Sequence, residues 1–186
     1  MNALLDPARS AVVLVDYQQR LLPSIHRGQE AMAEAARLAD CARALGIRVI
    51  GTEQNPQGLG PNAPEIQRRC EATLAKMHFD ACEDGLADVL RAAGTAAPTD
   101  VVVAGCETHV CLMQTAHGLQ RAGLRVWVAA NACGTRFPAD HEAALGRLRQ
   151  SGITLASVEM LVFEWLRTCE HARFREVLAV LKAPKD

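Results

Sequence analysis

Short runs of valine, isoleucine and leucine alternate with longer segments of helical period along this chain. That alternation leaves a parallel sheet wrapped by helices as the architecture it can adopt. The first run, Ala11-Val12-Val13-Leu14-Val15, is apolar at every position, as a strand buried on both faces must be. A helix follows from Gln29 to Leu45, stopped by Gly46, and Ile47 to Gly51 is the second strand, which completes a βαβ unit. The segment EQNPQGLGPNAP, Glu53 to Pro64, holds three prolines and two glycines and reads as a long loop. Ala72 to Ala75, ending at Lys76, reads as a third strand, Asp100 to Ala104 as the fourth, Leu124 to Ala129 as the fifth and Ile153 to Ala156 as the sixth. Helices are expected from Glu83 to Ala93, Thr108 to Ala122, Asp140 to Gln150, Val158 to Leu166 and Ala172 to Leu181. Right-handed crossovers then give an α/β, three-layer, doubly wound sandwich on a six-stranded parallel sheet, with one domain over residues 1–186.

Composition narrows the function. Twenty basic residues against 21 acidic ones leave a net charge of −1 spread along the chain, which offers no field to draw in nucleic acid. No apolar run nears the roughly 20 residues that span a bilayer, and no basic leader precedes the first strand, so the expectation is a cytoplasmic protein without a membrane partner. The seven cysteines contain no CxxC pair and fit reduced thiols. A Walker sequence and a GxGxxG are both missing, so no nucleotide cofactor is indicated.

Ligands of doubly wound sheets sit beyond the carboxyl ends of the strands. Those ends carry Asp16, then Thr52-Glu53-Gln54, then Lys76, then Gly105-Cys106-Glu107-Thr108-His109-Val110-Cys111: an acid, a base and a thiol. Cys111 falls in the first turn of its helix, where backbone amides favour negative charge, and Lys76 would add a second positive field, so a lowered thiol pKa is expected. Asp16 is the candidate to take the thiol proton. Each residue also has a plainer reading. The aspartate caps a turn, the cysteine is a small hydrophobe, or the lysine is solvated.

Three segments, Val13-Leu14-Val15-Asp16-Tyr17-Gln18, Lys76 with Phe79, and VVVAGCETHVCLMQTAHGL, resemble the isochorismatase-like cysteine hydrolases. TEQNPQGLGP, SVEMLVFEWL and EHARFREVLAVLK are similar to the isochorismatase domain-containing proteins, and the resemblance runs from about Ser10 to Leu181. It implies a triad of Asp16, Lys76 and Cys111 that hydrolyses a non-peptide C–N bond of a small amide, ureide or carbamoyl compound through a thioester. It further implies a cis peptide between Cys106 and Glu107, an oxyanion hole from the backbone N–H groups of Glu107 and Cys111, and a homo-oligomer, dimeric or tetrameric. Gln18, Gln54 and His109 are candidates to line the substrate pocket.

The chain departs from nicotinamidase-type members in having no histidine in Glu53-Gln54-Asn55-Pro56, so no catalytic metal and no cofactor are expected. Two other readings stay open: a non-catalytic scaffold or ligand-binding protein on the same fold, and a thiol redox protein using Cys106 and Cys111. The stripe Val158, Leu161, Val162, Trp165 and Leu166 reads as core, part of which could close a subunit interface.

Overall fold

The computed structural model describes residues 4–92 and 97–183. Its elements in chain order are β1 (Ser10–Val15), α1 (Gly28–Ala44), β2 (Arg48–Gln54), α2 (Pro56–Leu59), α3 (Pro64–Gln67), β3 (Ala72–Lys76), α4 (Leu86–Arg91), β4 (Asp100–Gly105), α5 (Met113–Arg121), β5 (Arg125–Ala129), α6 (Pro138–Gln150), β6 (Thr154–Ala156), α7 (Val158–Leu166) and α8 (Phe174–Lys182). The six strands form one sheet in the order β3-β2-β1-β4-β5-β6, and every pairing is parallel. The strand order reverses between β1 and β4, whose ends are matched by the pairing of Val15 with Gly105.

β1 and β4 are buried along their whole length because both faces of the sheet are covered. Val12 and Leu14 of β1 pack with α1, α7 and α8, whereas Ala11, Val13 and Val15 pack with α4, α5 and α6. The α7 stripe of Val158, Leu161, Val162, Trp165 and Leu166 is core on the first side. Its Trp165 indole N–H donates to Ser10 Oγ at 3.0 Å, which ties the C-terminal helices to the first strand.

The expected elements are all present, with three differences. The proline-rich segment is not one loop: β2 continues through Gln54, and prolines at the first turns of α2 and α3 start two single-turn helices. The helix expected from Thr108 begins as a π-helical turn, Thr108–Leu112, and becomes α5 at Met113. The helix expected to reach Ala93 ends at Arg91, and Ala93 lies outside the described residues.

Candidate active site

The reversal between β1 and β4 opens the sheet's carboxyl edge, and the chain turns there abruptly. Asp16 follows β1 with φ of +56°, a left-handed conformation that aspartate tolerates better than most residues and that tends to mark functional turns. Its Oδ1 accepts from Thr52 Oγ1 at 2.7 Å, and Lys76 Nζ lies 2.8 Å from its Oδ2. That second contact is an ion pair without hydrogen-bond alignment, so Oδ2 keeps its accepting capacity. Both side chains are fully buried. A buried ion pair of this kind stabilises a fold little better than apolar residues would, so its presence is more readily explained by chemistry than by stability.

Gln54 closes the group. Its Oε1 accepts from Lys76 Nζ at 2.6 Å and lies 3.9 Å from Cys111 Sγ, while its Nε2 donates to Met77 O at 2.8 Å. The cysteine sits in the π-helical turn after β4, 7% exposed. Burial pushes its thiol up to about 12, the Asp16 carboxylate adds to the rise, and the Lys76 ammonium opposes both. This corrects the expectation of a lowered value: desolvation outweighs the cation, and the thiol is held protonated beside a carboxylate.

The remaining expected residues separate into two groups. The Cys106–Glu107 peptide bond is cis. Among the described residues, the Glu107 N–H donates to no backbone carbonyl, while its side chain pairs with Arg136 at 2.7 Å. Gln18 and His109 are both held by groups of the surrounding chain. Gln18 is fully buried, accepts from Gln54 N at 2.9 Å and donates to Gln54 O and Gly60 O, which pins the end of β2 to the following segment. His109 Nδ1 contacts Thr135 Oγ1 at 2.7 Å and its Nε2 is 3.9 Å from Asp140. Cys106 packs with the α1 side of the sheet and Cys111 with the α5 side, and both are free thiols.

Sequence reasoning gave no role to Thr52, the hydroxyl that orients Asp16. The signal was its place in β2, where parallel register sets it beside Val15, the residue before Asp16. Where nicotinamidase-type members carry metal ligands, Glu53 here accepts from Asn62 N at 2.8 Å and Gln54 holds the lysine. Among the described residues, no three His, Cys, Asp or Glu side chains cluster as a metal ligand set.

The isochorismatase domain pattern matches residues 10–160, which include every residue of this site. The chain belongs to the isochorismatase family. Isochorismatase domain-containing protein 2A of Mus musculus is 35% identical over 178 residues, covering 96% of this chain and 85% of its own. Among solved structures, the MAR1 ribonuclease from Caenorhabditis elegans superposes with a TM-score of 0.91 at 29% identity, covering 99% of this chain and 95% of its own. The Escherichia coli YcaC gene product, described as an octameric hydrolase of unknown specificity, superposes with a TM-score of 0.84 at 25% identity, covering 97% and 88%. Family and fold together make this isochorismatase-like chain a protein of hydrolase fold.

Proposed function

We propose that the chain works as one isochorismatase-like domain, a cysteine hydrolase that cleaves a C–N bond of a small amide, ureide or carbamoyl compound. The observation that carries this reading is the fully buried Asp16–Lys76 pair set against a protonated thiol. A carboxylate beside a neutral thiol is a general base for it, and no standing thiolate is required.

In the proposed reaction Cys111 Sγ attacks the carbonyl carbon as its proton passes to Asp16. The oxygen takes up negative charge, which the N–H groups of Glu107 and Cys111 would stabilise. Collapse breaks the C–N bond, and Asp16 returns the proton to the departing amine. Water, deprotonated by Asp16, then attacks the thioester, and the acid leaves as the thiol is restored. Lys76 holds the Asp16 carboxylate in place and balances its charge throughout.

The Caenorhabditis elegans structural relative is called a ribonuclease, and that activity belongs to that protein. It is not favoured here. Phosphoryl transfer needs cations free to meet phosphate oxygens, and Lys76, the lysine among these side chains, is buried and engaged by Asp16 and Gln54. The octameric relative supports a homo-oligomer, and the free thiols fit a reducing, cytoplasmic setting.

A panel of primary amides, ureides and carbamoyl compounds, scored by ammonia release, tests the reading. At least one compound is expected to turn over, with Cys111→Ala reducing release to background. Turnover unchanged in Cys111→Ala would overturn it.

A further inference from the structure

Among the described residues, Asp16 Oδ2 accepts no hydrogen bond, although it is buried and the Lys76 ammonium stands 2.8 Å away. A buried acceptor left open is costly, and a donor within reach ordinarily turns onto it. Something holds the lysine's protons elsewhere. The ammonium gives its hydrogen bonds to Gln54 Oε1 at 2.6 Å and to His78 O at 3.4 Å. The bond to the glutamine is much the shorter, so Gln54 has the larger part in setting where those N–H groups point.

Gln54 is itself held from several sides. It pairs in register with Lys76 across β2 and β3, which puts the two side chains on one face of the sheet. Its Nε2 donates to Met77 O at 2.8 Å, and this fixes the sense of the amide. Reversed, the NH2 group would face the ammonium, donor against donor, and the oxygen would face the Met77 carbonyl. The backbone of Gln54 is clamped by the fully buried Gln18 side chain, which accepts from its N–H at 2.9 Å and donates to its C=O at 3.0 Å. Two glutamines thus decide where a single oxygen stands.

We propose that Gln54 is a positioning residue: its Oε1 draws the Lys76 N–H groups away from Asp16 Oδ2 and leaves that oxygen open to take the Cys111 proton. In that step the S–H bond breaks, its electron pair stays on sulfur for the attack, and an O–H bond forms at Oδ2. The ion pair supplies charge without occupying the base. An N–H aligned on Oδ2 would compete for the same lone pairs and favour the carboxylate form, which makes a weaker base. This inference rests on the hydrolase reading above, since the step it serves belongs to that reaction.

Gln54→Met keeps the length of the side chain and removes the strong acceptor. On whichever compound of the amide panel the native protein turns over, kcat is expected to fall about tenfold with KM little changed. The low-pH limb of turnover, where the base takes up a proton, is expected to move down by about one pH unit. Gln54→Glu keeps an oxygen for Lys76 and adds a charge near Asp16, so the same limb is expected to move up. A merely structural glutamine would scale the whole profile with the folded fraction, read by circular dichroism, and shift the limb in neither variant. Crystals of Gln54→Met are expected to show Lys76 Nζ hydrogen-bonded to Asp16 Oδ2. A limb that stays in place in both variants, or an Oδ2 still open beside Nζ in those crystals, would overturn the proposal. Failure of the hydrolase reading is told apart in the native protein, whose ammonia release would then not depend on Cys111. That result takes the proton-transfer role with it, while the crystals still decide which way the lysine turns.

Discussion

In the proposed reaction the Cys111 proton passes to Asp16, and the environment of the thiol sets how hard that step is. With the thiol pushed up to about 12, only about one molecule in 10⁴ carries a thiolate at pH 8. The alkylation rate of Cys111 should therefore climb steadily from pH 7 through pH 10 with no plateau; a plateau below pH 9 would show that the cation has won over desolvation. Asp16→Asn separates the two roles of the acid. Losing its charge removes a contribution that raises the thiol, so alkylation at pH 8 is expected to speed up, while amide turnover falls by roughly 10²–10⁴ for want of a base. The substitution also leaves Lys76 buried without its counter-ion, at a cost of about 3–5 kcal/mol, so thermal melts must show the variant folded at the assay temperature. A merely structural Asp16 would lower stability and leave amide turnover by the folded variant where it was.

At the scale of elements, the site depends on how closely β1 and β4 approach at their carboxyl ends. A Cβ added at Gly105 would lie 2.5 Å from both Val15 Cβ and Val15 O, and backbone cannot yield as a flexible side chain can. Gly105→Ala is expected to cost about 1–3 kcal/mol in urea denaturation and to lower turnover, since Asp16 follows Val15 directly and Cys106 N donates to Val15 O at 2.9 Å. An unchanged midpoint would mean the two strands can separate freely. These strands were legible in the sequence because a strand buried on both faces is apolar throughout: β1 and β4 came within one residue of their observed ends. β2 was read three residues short because Thr52, Glu53 and Gln54 are polar, and what holds them in the strand is the pairing with β3 and the Gln18 clamp, both distant in sequence. The π-helical turn had no signature either, since five residues do not distinguish it from the first turn of an α-helix. Spacing alone brought Asp16, Lys76 and Cys111 to one edge of the sheet. It carried no measure of burial, and burial reversed the expected direction of the thiol's shift.

Across the whole molecule the cysteines act together on stability. Burial pushes Cys41, Cys82, Cys111 and Cys133 up to about 12 and Cys70 to about 11, and it raises Cys106 well above its ordinary value. Above about pH 9 the unfolded chain releases these protons and the folded chain retains them, so the folded state binds more protons and loses stability as pH rises. For fully buried thiols such as Cys106 and Cys133 the loss approaches about 1.4 kcal/mol per pH unit each, until the folded values are reached. His141 works at the other end of the range. Burial lowers its pKa, so below about pH 6.5 the unfolded chain binds the proton more readily, and stability falls as pH drops. The two effects bracket a maximum between about pH 7 and pH 9. Urea midpoints measured from pH 5.5 to pH 10.5 under reducing conditions should fall on both sides of that window, more steeply on the alkaline side because six thiols act there and a single imidazole acts on the other. Net proton release on unfolding at pH 10, read in a weakly buffered titration, should account for the alkaline slope. A midpoint that holds constant from pH 8 to pH 10.5 would mean the buried thiols ionise in place, and the protonated nucleophile assigned to Cys111 would fail with them.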